Sequence, residues 1–279
     1  MMRLRCFLIL VCCLPLISPA QTIPYPYPTR SITISLDGAD NKMVYMDVLP
    51  ANPNGDAVIL FHGKNFTGLY WKNVIEFLSD AGYRVIAPDQ IGWGRSSKPN
   101  LNYSFEMLAS NNRQLLDSLH IHNVTVIGHS MGGMLATRFA LMFPERTKHL
   151  ILEDPLGLED YKKFIPYKTM EQQYQKELTA TYIAYKKNQQ GYYPAWKPSY
   201  ELYVKAQAEP LKHKDFSSVA YINALTYQMI YEQPIVYEFD SLKIPTLLIL
   251  GQLDRTIPGK ELLKPTESKT SWKFSDSRE

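Results

Sequence analysis

Cysteine is almost missing from this chain: Cys6, Cys12 and Cys13 are the only three, and all lie in the first thirteen residues. A body without thiols cannot be held by disulfides, so its stability must come from a large core. Long apolar runs are missing too. The run from Cys6 to Ile17 has twelve residues and contains Pro15, against the roughly 20 needed to cross a bilayer. No basic tract stands out. The formal net charge is +3, and Arg3 and Arg5 contribute two of those charges, so neither nucleic acid nor an anionic membrane is an expected partner. No cluster of His, Cys, Asp and Glu has metal-ligand spacing, and no metal or organic cofactor is implied. Internal repeats and low-complexity tracts are absent as well.

What is present begins with a leader. Arg3 and Arg5 precede the apolar run, and Ser18-Pro19-Ala20 offers small residues before Gln21. This pattern predicts a secretory signal peptide over residues 1–20, and with it an exported protein, periplasmic or secreted, with no stable membrane insertion after cleavage. A lipid anchor at Cys12 or Cys13 is disfavoured because Val11, not a small residue, precedes Cys12. The full chain, leader included, has 279 residues with 45% hydrophobic and 20% charged content, which suits one globular domain carrying a sizeable insertion.

Residues 21–30 are proline-rich and expected to be extended. Ile32 to Leu36 and Met43 to Val48 alternate apolar and polar residues around turn-forming Asp37 to Asn41, which predicts an antiparallel hairpin at a sheet edge. The rhythm then changes. Ala57–Phe61, Tyr83–Ala87, Val124–Ile127, Leu150–Leu152 and Thr246–Leu250 are short continuous apolar runs, as in strands of a parallel sheet buried on both faces. Helical patterns lie between them, at Tyr70–Ala81, Ser104–Leu119 and Met131–Phe143. The alternation predicts an α/β fold with a doubly wound, mostly parallel sheet flanked by helices. Residues 21–154 and 241–279 form its core. Residues 155–240 break the pattern, hold thirteen of the nineteen tyrosines and predict a helical cap, with one helical pattern over Met170–Lys187. Amphipathic tyrosines suit a lid over a wet cleft, and they equally suit a tyrosine-lined acyl or aromatic pocket.

Three motifs converge at the carboxyl ends of the central strands. In Val124-Thr125-Val126-Ile127-Gly128-His129-Ser130-Met131-Gly132-Gly133 a β-branched run ends in Gly-x-Ser-x-Gly and a helical pattern follows at once. Strand, sharp turn and helix make a nucleophile elbow, with Ser130 as the nucleophile and Gly128 and Gly132 leaving room for the turn. After the first buried strand comes Phe61-His62-Gly63-Lys64-Asn65-Phe66. Backbone N–H groups there, with Lys64 as the donor, can complete an oxyanion hole with the N–H of Met131. His62 reads as a histidine that orders the loop. The third motif, Leu250-Gly251-Gln252-Leu253-Asp254-Arg255, places Asp254 in a turn after a buried strand, suited to orienting an imidazole; Asp154 is the second candidate for that role.

Together with Pro88-Asp89-Gln90-Ile91-Gly92-Trp93-Gly94-Arg95-Ser96-Ser97, these motifs resemble the α/β-hydrolase superfamily over about residues 30 to 258. The similarity is to its capped branch of esterases, C–C bond hydrolases, epoxide hydrolases and dehalogenases. The last two classes use an aspartate nucleophile where this chain has Ser130, which disfavours them. The resemblance implies a serine hydrolase, carboxylesterase-like, that cleaves an ester or similar acyl bond of a small, largely apolar substrate. It also implies a histidine after Asp254. The sequence has histidines at 62, 120, 122, 129, 149 and 213 and none beyond, so the expectation is a core lacking the family's last strand and helix, with impaired catalysis and Thr246–Leu250 as an exposed edge. Swinging His213 inward from the cap is the weaker alternative. Hydrolysis of a carbon–carbon bond and a vestigial, non-catalytic protein are the rival readings, and oligomeric state is left open.

Overall fold

The continuous apolar runs become the strands of a single seven-stranded sheet in a computed structural model that describes residues 23–163 and 165–252. The strands are β1 (Thr29–Leu36), β2 (Ala39–Val48), β3 (Ala57–Phe61), β4 (Arg84–Pro88), β5 (Val124–His129), β6 (Thr147–Glu153) and β7 (Thr246–Ile249). Their order is β1-β2-β4-β3-β5-β6-β7. The β1–β2 and β2–β4 pairs are antiparallel, and every pair from β4 through β3, β5 and β6 to β7 is parallel. The chain leaves β3 toward β4 on one side and returns to β5 on the other. That reversal opens a crevice at the carboxyl ends of β3 and β5, where open α/β sheets take ligands.

Burial on both faces explains the unbroken hydrophobicity of the central strands. On β3, Val58 and Leu60 pack with Trp71, Ile75 and Ile127, whereas Ile59 and Phe61 pack with Phe105, Leu108, Leu135 and Phe139. The first face is covered by α1 (Lys72–Asp80), the second by α2 (Phe105–Ser118) and α3 (Met131–Met142). Ser104 begins α2 by accepting the Met107 N–H at 3.0 Å, which satisfies one orphan donor of the helix start.

Two expectations need correction. The hairpin turn spans Asp37 and Gly38 alone, because both adopt positive φ (50° and 78°) and a two-residue turn of that hand matches strand twist; Ala39 already pairs with Leu36. The pattern over Met170–Lys187 is two helices, α4 (Met170–Leu178) and α5 (Tyr182–Gln190). Thr181 divides them: its extended backbone and side-chain bond to the Ala184 N–H cap a new helix. Between β6 and β7 the described residues form only helical elements, completed by α6 (Glu201–Ala208) and α7 (Phe216–Glu232). β7 is outermost in the described sheet, with Leu247 53% and Ile249 47% exposed. Among the described residues no helix is long and apolar enough to cross a membrane. The leader over residues 1–20, Asp254 and the segment from residue 253 onward lie outside the described residues.

Candidate active site

Ser130 sits between β5 and α3 with φ 55° and ψ −122°, a conformation that costs a residue with a Cβ about 1–3 kcal/mol. The chain around it over-determines that geometry. Ser130 donates its N–H to the Glu153 carbonyl at 3.2 Å, and its own carbonyl accepts from Gly133 at 2.8 Å and Leu156 at 3.0 Å. A methyl at Gly128 would lie 2.1 Å from the Gly132 carbonyl oxygen, and one at Gly132 would lie 2.0 Å from that of Phe61. Only glycine lets strand, elbow and helix approach so closely. Met131 is the first residue of α3, so its N–H belongs to the helix-end donors that have no partner within the helix.

The loop after β3 faces this elbow. A Cβ at Gly63 would lie 3.1 Å from Ser130 Cβ, so the loop passes in contact with the serine one residue before Lys64. Residues 63–66 form a turn closed by the Phe66 N–H to the Gly63 carbonyl at 3.1 Å, and the Trp93 indole donates to the Lys64 carbonyl at 2.7 Å. His62 is fully buried. Its Nδ1 bonds the Gly63 carbonyl at 2.9 Å and its Nε2 meets the Gln90 N–H at 3.1 Å. A carbonyl can only accept and an amide N–H can only donate, so Nδ1 carries the proton. Burial pushes its pKa below the usual histidine value, which keeps the ring neutral and suits a loop-ordering role. Gln90 continues inward to Asn112 through paired amide bonds of 3.3 and 2.7 Å.

Asp154 follows β6, takes φ 38° and accepts the Gly251 N–H at 2.6 Å. It thus joins the ends of β6 and β7 at the edge where the candidate Asp254 turn begins. His213 pairs with Glu209 at 2.7 Å and is half exposed. The His129 ring stacks on Tyr70 at 4.6 Å and packs edge-on to Phe66 and Trp71. Tyr192 and Tyr203 from the cap side reach Phe66, and Tyr203 also reaches Tyr70. These cap rings are therefore packed against core rings beside the elbow. A cleft of about 170 Å³ runs along the other side of residues 64–69 toward Trp93, Lys98 and the cap residues Gln207 and Phe216. Ser130 is not on its wall.

Two acids escaped sequence reasoning. Glu153 ends β6 directly opposite His129; its Oε2 is buried without a hydrogen-bond partner. Burial first, then the neighbouring Asp154 charge, raises its pKa. Asp89, after β4, is buried and accepts from Tyr25 OH at 2.6 Å, the Gly68 N–H at 2.8 Å and the Arg95 N–H at 2.8 Å. Position at a strand's carboxyl end was the available signal for both. Among the described residues no group of three or more His, Cys, Asp or Glu is placed to hold a metal ion.

Residues 56–278 match the model of the α/β hydrolase fold family. A crystal structure described as a probable hydrolytic enzyme of Pseudomonas aeruginosa PAO1 is 42% identical, with TM-score 0.85, covering 88% of this chain and 80% of that one. An uncharacterized protein of Mycobacterium tuberculosis is 41% identical over 105 residues, 38% of this chain and 30% of the relative. The 2-hydroxy-6-oxo-2,4-heptadienoate hydrolase of Pseudomonas putida is 34% identical over 108 residues, 37% of this chain and 39% of the relative. The matched stretches thus span well under half of those two curated relatives.

Proposed function

The chain belongs to the α/β hydrolase fold family, and on that premise we propose that it is an exported serine hydrolase cleaving an ester or similar acyl bond of a small, largely apolar substrate. Ser130 is the nucleophile in this reading. Its strained φ of 55° is the observation that carries it, because strain over-determined by its surroundings belongs to functional turns. As Ser130 Oγ attacks the acyl carbon, the carbonyl oxygen becomes an oxyanion between the N–H groups of Met131 and Lys64. Each such donor supplies about 2.7–4 kcal/mol of transition-state stabilisation. The helix start at Met131 adds a favourable field. The serine proton must pass to a base, a histidine that Asp254, or Asp154, would orient.

The family's chain order puts the histidine after the aspartate, and His213 is the last histidine in these 279 residues. Catalysis without the base falls toward the roughly 10³–10⁴-fold over water that binding and an oxyanion hole supply alone. A fluorophosphonate probe tests the assignment. Labelling of wild type that disappears in Ser130→Ala supports it, and folded protein that never labels supports a vestigial scaffold. The similarity to a dienoate hydrolase keeps carbon–carbon bond hydrolysis as the second reading. Parallel assays on an aryl ester and a ring-cleavage dienoate separate the two.

A further inference from the structure

Three consecutive residues of the turn beside Ser130 are tied to the cap. Lys64 Nζ lies 3.5 Å from Glu177 Oε1 on α4, and Gln173 holds the same oxygen at 3.0 Å. Asn65 Nδ2 donates to Tyr192 OH at 2.9 Å, just past α5, where Asn188 donates to the same hydroxyl at 2.9 Å. The Phe66 ring packs against Tyr192 and Tyr203. On the core side Trp93 donates to the Lys64 carbonyl, His62 Nδ1 donates to the Gly63 carbonyl, and the Phe66 ring also meets Tyr70 and His129. The Lys64 N–H shares a peptide plane with the Gly63 carbonyl, so the bonds to that carbonyl from His62 Nδ1 at 2.9 Å and the Phe66 N–H at 3.1 Å aim it only while the turn keeps its shape. The Lys64 and Asn65 side chains tie that turn to the cap.

We propose that Asn65 is a positioning residue, and that its bond to Tyr192 makes the docked cap part of the oxyanion hole by fixing the turn that presents the Lys64 N–H. The proposal rests on the acyl-transfer reading of Ser130. Cap docking and oxyanion binding are then one mechanical event: an undocked cap leaves the turn loose and the donor misaimed. Misplacement of about 1 Å at a reacting centre costs up to 10²-fold in rate, so partial loosening is expected to cost about 10-fold.

The test uses the full chain and Tyr192→Phe, which keeps the ring on Phe66 and removes only the hydroxyl. Amide hydrogen exchange over residues 62–68 is expected to speed up about 10-fold, and Asn65→Ala should match it. Asn65→Asp, which can accept from Tyr192 OH, should restore protection. Glu238→Gln, which weakens a cap contact to Arg138 elsewhere, should leave residues 62–68 unchanged. In fluorophosphonate labelling, the same Tyr192→Phe change is expected to lower the maximal inactivation rate about 10-fold with little change in the half-saturating probe concentration. Unchanged exchange overturns the latch. Faster exchange with an unchanged inactivation rate overturns its link to the oxyanion hole. Faster exchange with no labelling even of wild type brings down the serine reading and leaves the mechanical latch standing.

Discussion

Replacing Ser130 with glycine should make the protein more stable than replacing it with alanine, although both changes delete the nucleophile. The backbone at Ser130 has φ 55° and ψ −122°. Alanine keeps the Cβ that makes this conformation costly, and glycine removes it. Relief of about 1–3 kcal/mol is expected, and the extra chain entropy of glycine takes back about 0.5–1 kcal/mol. The net advantage of Ser130→Gly over Ser130→Ala then spans about 0–2.5 kcal/mol and centres near 1 kcal/mol. For a domain of this size each kcal/mol is worth about 2–4 °C, so the two variants should differ by a few degrees. Urea denaturation followed by circular dichroism gives the difference directly, with equal m-values confirming that only stability changed. A Ser130→Gly variant no more stable than Ser130→Ala would refute the argument. The elbow would then hold its shape without strain, and the chief physical support for Ser130 as nucleophile would be gone.

Further expectations follow from neighbouring residues. Gly132→Ala forces a methyl against the backbone carbonyls of Phe61 and His62 at 2.0 and 2.8 Å; neither is a flexible side-chain end, so a loss of about 3 kcal/mol is expected, measurable as a lowered urea midpoint. Tyr25→Phe deletes a hydrogen bond to the buried Asp89 carboxylate and should cost about 1.5–3 kcal/mol; a change below about 0.5 kcal/mol would show that the N-terminal segment is not anchored there. Glu153→Gln should act through pH. Burial raises the Glu153 pKa above its ordinary 4.5, so below that pH both states are protonated and carry no penalty. Stability is lost as pH rises through the folded value, where the ionised form is disfavoured. The glutamine variant should match wild type near pH 4 and be more stable at pH 8, and equal stabilities at pH 8 would contradict the assignment.

How much of this was legible depends on the range of each interaction. The central strands could be read because burial on both faces leaves an unbroken apolar run, as in Ala57–Phe61; Thr246–Ile249 was legible by the same kind of run although it is exposed throughout. Ser130 could be read because strand, glycine spacing and helix all lie within a dozen residues. The antiparallel placement of β2 against β4 could not, since Tyr45 meets Pro88 across 42 intervening positions that leave no local pattern. The break between α4 and α5 was hidden for another reason: Thr179-Ala180-Thr181 does not interrupt the apolar periodicity, and only the capping geometry of Thr181 reveals it. Asp89 and Glu153 received no role from the sequence. Their roles come from partners as distant as Tyr25 and from burial that only the packed sheet creates.

Costly features are concentrated at one edge of this fold, and the proposed acyl-transfer reading accounts for the supports around them. Ser130 is strained, and the Glu153 carboxyl is buried with an unpartnered oxygen beside Asp154. Each lowers stability, and neither is needed to close the sheet. Beneath them the opposite holds. The His62–Gln90–Asn112 chain satisfies its buried polar groups in series, and Asp89 gathers three donors. Satisfied buried networks are rigid because breaking any one bond orphans a partner. The loop carrying Lys64 therefore rests on a stiff floor, while its upper side depends on the cap through Asn65 and Tyr192. A binding surface with no chemistry to perform has no use for a strained serine above such a floor. A site that must hold two N–H groups at fixed distance from a developing oxyanion does.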